Sequence, residues 1–342
     1  MFKNRMDPEM SVFRDRRMVF AAVAALVFLA RLAPAEELAE ASVDDATEAV
    51  VAAPEEPPPP SPPLPFHSIE GVGGGAITPM AYLVNPGDEC HVFGKPAVAL
   101  TYVNLGQKNL SVISVTETAF ERVEFGYAAD RLGLGTLPSD IHTATGIDLA
   151  ETDIWLHHFN VRGLLVKENT CAGDIPLPAI TAGVHFKVNG NIEDVNQELG
   201  GGTVLPTIGY RESSGVDYTL TATKTIPPDV LGRPLILTAG LRLSEASQLG
   251  FLGFGDEYRP TFEGSVALLP LDRVLVAYEF RQKTDPYARI PGLIDGEDNW
   301  HAFDAALILN NNSTLVAGYG IFGTLANANA DGSWWLQLKH EF

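Results

Sequence analysis

From residue 97 to the C-terminus the chain repeats one pattern, an apolar residue at every second position. Val274, Val276, Tyr278 and Phe280 alternate with Arg273, Leu275, Ala277, Glu279 and Arg281. Ile180, Ala182, Val184, Phe186 and Val188 alternate with Thr181, Gly183, His185 and Lys187. Successive side chains on a strand point to opposite faces, so each such segment has one apolar face and one polar, charged or glycine face. The pattern predicts twelve strands, near 97–104, 110–118, 121–129, 154–167, 179–188, 216–224, 235–244, 261–269, 273–281, 300–310, 314–322 and 333–342. No amphipathic helix of useful length is predicted between them, which argues against an α/β enzyme fold.

The connections are sorted by parity. After odd-numbered strands they are long, at 130–153, 189–215, 245–260, 282–299 and 323–332; the gap at 105–109 is the exception. After even-numbered strands they are mostly shorter, at 119–120, 168–178, 225–234, 270–272 and 311–313. Transmembrane barrels alternate long extracellular loops with short periplasmic turns, whereas a soluble sandwich or jelly roll has no reason to do so. The expected fold class is therefore all-β, a transmembrane up-and-down antiparallel β-barrel of about twelve strands.

The N-terminus agrees. Lys3, Arg5, Arg14, Arg16 and Arg17 precede the apolar run 18–30 and then Ala33-Pro34-Ala35, the order of a secretory signal peptide over 1–35. An apolar run of that length spans roughly 20 Å, short of a ~30 Å hydrocarbon core, so it reads as a signal rather than an anchor. Residues 36–65 hold eight acidic and no basic residues with runs of proline, and read as a disordered periplasmic segment. Residues 66–96 form a glycine-rich segment available as a plug, and 97–342 the barrel. With Lys+Arg 23 against Asp+Glu 43 and a net charge of −20, nucleic acid is excluded as a partner held by bulk charge. Two cysteines exclude a disulfide-rich scaffold.

The chain ends SWWLQLKHEF, with Trp334, Leu336, Leu338, His340 and Phe342 on one face. This resembles the C-terminal recognition strand of bacterial outer-membrane proteins, His340 departing from the usual apolar choice. Trp155, Trp300, Trp334 and Trp335 lie at predicted strand ends, where aromatic girdles form. The segments GVGGGAITPMAYLVNPGD at 71–88, FNVRGLLV at 159–166 and QLGFLGFGDEYRPTFEGSVALLP at 248–270 resemble an uncharacterised bacterial domain-of-unknown-function family of presumed outer-membrane proteins. The resemblance implies the architecture and no activity. The expected setting is the outer membrane of a Gram-negative bacterium with periplasmic termini. Its expected partners are membrane lipid and the outer-membrane assembly machinery, and its expected state is a monomer.

Assigning the polar face to the lumen places Arg122, Arg162, Lys187, Lys224, Arg242, Arg273, Arg281 and Lys339 there, with Glu124, Asp217, Glu263, Glu279, Asp304 and Glu341. Two readings follow: the charges pair and close the interior, or segregated rows line a pore. The leading functional reading is a passive pore for small hydrophilic solutes. The alternative is a closed barrel with a structural or envelope/polysaccharide-assembly role.

Catalysis is not expected; an outer-membrane hydrolase is the minor alternative. His157 and His158 point to opposite faces and form no dyad, and Glu263 and Glu279 read as ion-pair partners of Arg242, Arg273 or Arg281. GVGGG at 71–75 lacks the following Lys and Ser/Thr of a phosphate loop. No cofactor or metal is expected, Asp295, Glu297 and Asp298 lacking EF-hand spacing. Cys90 and Cys171 both fall on the periplasmic side, where thiols pair readily. Their strands are roughly 15 Å apart, three spacings of ~4.8 Å. A bridge therefore requires 88–96 to cross the barrel mouth, and two free thiols stay open as the alternative.

Overall fold

A computed structural model describes residues 66–87, 91–172, 175–228 and 232–342. The expected signal peptide, the acidic proline-rich segment and Cys90 lie outside the described residues. The alternating segments become β1 (Ala97–Leu105), β2 (Lys108–Ala119), β3 (Val123–Gly133), β4 (Asp153–Val166), β7 (Ala179–Asn189), β8 (Ser214–Ile226), β9 (Leu235–Ala246), β10 (Phe254–Leu271), β11 (Val274–Arg281), β12 (Trp300–Ile308), β13 (Ser313–Leu325) and β14 (Ala328–Glu341). Between β4 and β7, β5 (Cys171–Ala172) and β6 (Ile175–Pro176) form a small hairpin outside the barrel. The twelve longer strands pair antiparallel in chain order, and β14 closes on β1 with Ala97 opposite Glu341 and Asn104 opposite Trp334. Phe342 N–H donates to Pro96 C=O, securing the seam between the two ends of the barrel chain.

The period-2 pattern decides which face points out. Leu100, Tyr102, Leu220, Leu241, Phe303, Leu336 and Leu338 are exposed on the outer surface. Thr101, Thr221, Arg242, Asp304, Gln337 and Lys339, one position away on the same strands, are buried inside. An apolar outside and a polar inside reverse the usual order of a soluble protein and suit a lipid surround. The barrel has a terminal end, where β1 starts and β14 stops, and a loop end opposite.

Three expectations need correction. First, β10 starts at Phe254 instead of 261, although Gly255 and Pro260 read as loop. Before Glu263 it has no register partner on β11, and Pro260 is tolerated where the strand is paired only with β9. Second, β13 and β14 continue through 323–332 to a turn at 326–327, bulging at Gly320/Ile321 and Ile321/Thr324. Third, helices do occur in the loops: α1 (Leu137–Thr145), α2 (Ile192–Glu198) and α3 (Val204–Ile208). In α1, Pro138 sits in the first turn, Leu137 and Ile141 are buried one turn apart, and Gly146 at φ 76° ends it by donating to His142 C=O. Two apolar residues give too short a stripe to be read as a helix from sequence.

Candidate functional site: the filled lumen

The segment N-terminal to β1 lies inside the barrel. Every residue from Phe66 to Ala81 is buried, as are Leu83 and Val84. It folds back on itself, with His67 opposite Gly73 and Gly74 opposite Pro79, and leaves past the terminal end through Phe93, which pairs with Ala119. Some of its backbone polar groups pair within the segment, as Ile69 N–H with Ala76 C=O and Met80 N–H with Gly73 C=O, and the wall meets others. Glu279 accepts the N–H groups of Ala76, Ile77 and Thr78 at 2.6–3.1 Å, and the Thr78 hydroxyl. Glu124 accepts N–H from Gly73 at 3.2 Å and Val84 at 2.8 Å, and Arg162 donates to Met80 C=O at 2.6 Å. Gln337 exchanges two hydrogen bonds with the His67 backbone, while the His67 ring bridges Ser114 and Thr116. A buried amide left unpaired costs ~1–3 kcal/mol, so these wall groups are what allows an irregular segment to sit there.

Glycine makes the fit. A Cβ on Gly75 would run into the Glu279 carboxylate, and one on wall residue Gly126 would meet Gly71 C=O. The GVGGG stretch is thus a close-packed surface against the barrel wall.

Five consecutive strands carry charges of alternating sign: Lys187 on β7, Asp217 on β8, Arg242 on β9, Glu263 on β10 and Arg281 on β11. Lys187 lies 2.7 Å from Asp217, and Arg242 lies 3.0 Å from both Asp217 and Glu263. Arg281 is 4.0 Å from Glu263. The row begins and ends with a base, so it carries one unmatched positive charge. Glu70 of the inner segment supplies the missing acid, at 2.6 Å from Lys187, 3.0 Å from Arg242 and 2.6 Å from Arg281. All six side chains are at most 4% exposed. Separately, Glu124 pairs with Arg162 directly across β3 and β4 at 2.7 Å, and Lys339 with Glu341 at 2.6 Å. Asp304 is buried beside Glu279.

Eleven of the fourteen charges expected in the lumen are therefore buried inside: Glu124, Arg162, Lys187, Asp217, Arg242, Glu263, Glu279, Arg281, Asp304, Lys339 and Glu341. Lys224 is at the rim of the terminal end, bonded to Asn169 at 2.6 Å. Arg122 and Arg273 lie in the turns before β3 and β11 and not on the wall, because the strands begin one or two residues later than expected. Glu263 pairs with Arg242 and Arg281 as expected, whereas the Glu279 carboxylate is turned to the amides of the inner segment instead of to an arginine. His158 is sealed inside against Asp130 at 3.3 Å, and His157 faces out to Tyr127 at 2.9 Å. Trp155 and Trp334 are exposed outside as expected of a girdle, but Trp300 and Trp335 point inward. Cys171 is exposed on the small hairpin.

Glu70 was not among the expected site residues. Its signal was present: it is the one charged residue between Phe66 and Gly87, and a lone charge in an apolar, glycine-rich segment needs a buried partner.

Above this polar layer the loop end is closed by apolar side chains. Ile69, Ala76 and Ile77 of the inner segment join Val103, Leu110, Leu134, Leu137, Ile154, Phe251, Trp300, Phe322 and Trp335 in one cluster. In the loop after β11, Lys283 pairs with Glu297 at 2.9 Å and lies over the Trp300 ring at 4.8 Å. Burial pushes its ammonium pKa down, and Glu297 offsets part of that.

A closed antiparallel barrel with an apolar outer band and a polar interior is a transmembrane β-barrel of the outer-membrane kind. The chain belongs to the family described as protein of unknown function (DUF3034), whose model matches residues 65–339, in keeping with the resemblance carried by the segments at 71–88, 159–166 and 248–270. Among solved structures it is similar in outline to the KdgM porin (TM-score 0.41, 8% identity, 72% of this chain and 99% of that one). The NanC porin gives 0.41 at 9% identity, over 72% and 98%. The outer-membrane protein Omp33 of Acinetobacter baumannii gives 0.35 at 11% identity, over 73% and 99%. No curated protein sequence matches the chain.

Proposed function

We propose that this is an outer-membrane barrel of a Gram-negative bacterium, with periplasmic termini, that acts as a gated pore: its lumen is shut by Phe66–Val84, and small hydrophilic solutes pass only when that segment moves. The observation that carries this is the Glu70 contact set, in which a residue of the inner segment completes the charge row of five wall strands. A membrane-facing apolar band, lipid as the surround, and insertion through the C-terminal strand ending in Phe342 complete the reading. No catalytic role is assigned, since His158 and Asp130 are sealed from any substrate.

Planar-bilayer conductance tests it. Intact protein is expected to be silent, with openings appearing in Glu70→Gln, folding of both being checked by circular dichroism and heat-modifiable gel mobility. Silence in both favours the closed structural or envelope-assembly barrel. Steady conductance in the intact protein favours a passive open pore.

A further inference from the structure

Three long loops at the loop end leave a space between them. A cavity of about 200 Å³ lies among α1, α2, α3 and the loop after β11, walled by Ile141 of α1, Ile192 and Val195 of α2, Leu205 of α3 and Ile290 of that loop. Apart from Thr145, its lining among the described residues is leucine, isoleucine and valine. One side is sealed and the other is not. Ile141, Val195 and Leu205 are buried, whereas Ile147, Leu149, Val204 and Leu293 of the same lining are half-buried and Thr145 is exposed. The cavity therefore has a mouth toward water. An apolar cavity of roughly 150 Å³ stays dry and takes up a six-carbon ring. In proportion, this one holds an alkyl chain of about eight carbons.

The walls are tied to one another around the space. Asn191 Nδ2, at the start of α2, donates to Glu151 Oε2 at 2.9 Å and Asp153 C=O at 2.7 Å. Glu198, at the end of α2, accepts Ala150 N–H at 2.9 Å. Leu205 N–H donates to Asn196 Oδ1 at 3.2 Å, and Ala288 N–H to Ile208 C=O at 2.7 Å. These bonds give the cavity a fixed frame, and small-ligand sites are largely pre-formed in the same way. Charge decides which ligand suits the mouth. The lining segments 134–154, 190–208 and 285–296 carry nine carboxylates against Arg289 and His142. Asp148, Asp153 and Asp285 are matched by His142, Arg131 and Arg289 at 2.8, 2.6 and 2.9 Å. The other six have no salt bridge among the described residues. An anionic head at the mouth meets like charge, and an ammonium meets the opposite sign.

We propose that this cavity binds a small cationic amphiphile, an alkyl chain ending in an ammonium group, with the chain among the α1–α3 side chains and the head in water at the mouth between the acidic loops. The site is independent of whether the lumen ever opens.

The test is calorimetric titration of the full chain in lipid nanodiscs, with empty nanodiscs as the blank because partition into bilayer does not saturate. Octylamine, charged at neutral pH, is the probe, and octan-1-ol and octanoate are controls of equal chain length. Saturable binding of octylammonium is expected, about threefold tighter than of octanol and about tenfold tighter than of octanoate, as exposed charge contacts allow. In about 1 M salt, which screens charges beyond ~3 Å, the preference is expected to shrink below about twofold. Val195→Trp fills the cavity from its buried side and Val204→Trp from its mouth. Each is expected to remove saturable binding of all three probes, with heat-modifiable gel mobility confirming that the variant folds. Asp148→Asn combined with Glu198→Gln is expected to reduce the preference for octylammonium and to leave octanol binding unchanged. Heat that never saturates above the blank overturns the proposal, as does binding that survives in a folded cavity-filling variant. Octanol or octanoate binding as tightly as octylammonium overturns the assignment to a cationic ligand.

Discussion

Glu70 Oε2 accepts from Arg281 Nη1 at 2.6 Å, although 211 residues separate the two in the chain. The contact joins the inner segment to the wall at the last base of an alternating charge row. Removing one member of a buried pair typically costs ~3–5 kcal/mol, because the partner is left charged and unmatched. Glu70→Gln leaves three bases facing two acids and is expected to destabilise the folded protein by about that amount, read from urea unfolding in lipid vesicles. Adding Arg281→Met to Glu70→Gln is expected to recover part of the loss. A coupling energy within about 0.3 kcal/mol of zero would show that the two residues act independently.

Glycine positions separate local strain from loss of the inner contact. Gly75 faces the Glu279 carboxylate with no room for a Cβ, so Gly75→Val is expected to expel Phe66–Val84 from its seat. The readout is limited proteolysis, with cleavage within 66–87 appearing in the variant and absent from the parent. Gly146 has positive φ, 76°, but a Cβ there meets nothing within 4 Å. Gly146→Ala is expected to cost only ~1–2 kcal/mol of backbone strain and to leave 66–87 protected.

How much of this the amino-acid sequence declares depends on the range of each signal. Period 2 is local, so Val274 to Phe280 declares a strand without help from its neighbours, and the twelve strands follow. The direction each face points also follows, as Leu241 outside and Arg242 inside show. What period 2 does not encode is where a strand starts or stops, which is why Arg122 and Arg273, expected on the wall, lie in turns. The place of Trp300 and Trp335 at strand ends predicts a girdle, yet they fill the space beneath the loop-end cap, which no local pattern reveals. Glu70 was legible only as a charge without a local partner. Its three partners come from β7, β9 and β11, brought together by closure of the barrel.

Sidedness has a separate test. Cys171 is exposed on the hairpin at the terminal end. With periplasmic termini, a membrane-impermeant maleimide is expected to leave it unlabelled in intact cells and to label it once the outer membrane is permeabilised. Prior mild reduction makes the result independent of whether Cys90, which lies outside the described residues, pairs with it. Labelling in intact cells would invert the orientation.

The outer band makes the last prediction. Leu241 sits midway along β9 and is 58% exposed, with Phe262 opposite it on β10. If lipid surrounds the barrel, a charge at that depth must leave water. Leu241→Arg is expected to cost ~2–4 kcal/mol, falling to ~0–1 kcal/mol for an arginine close to the interface. Leu271, at the terminal end of β10 and also exposed, is the interface control. Unfolding of the two variants in vesicles gives the comparison. Equal and small effects would mean that water, not hydrocarbon, faces Leu241, and the exposed apolar residues on the outside of the barrel would then need a protein partner instead of a bilayer.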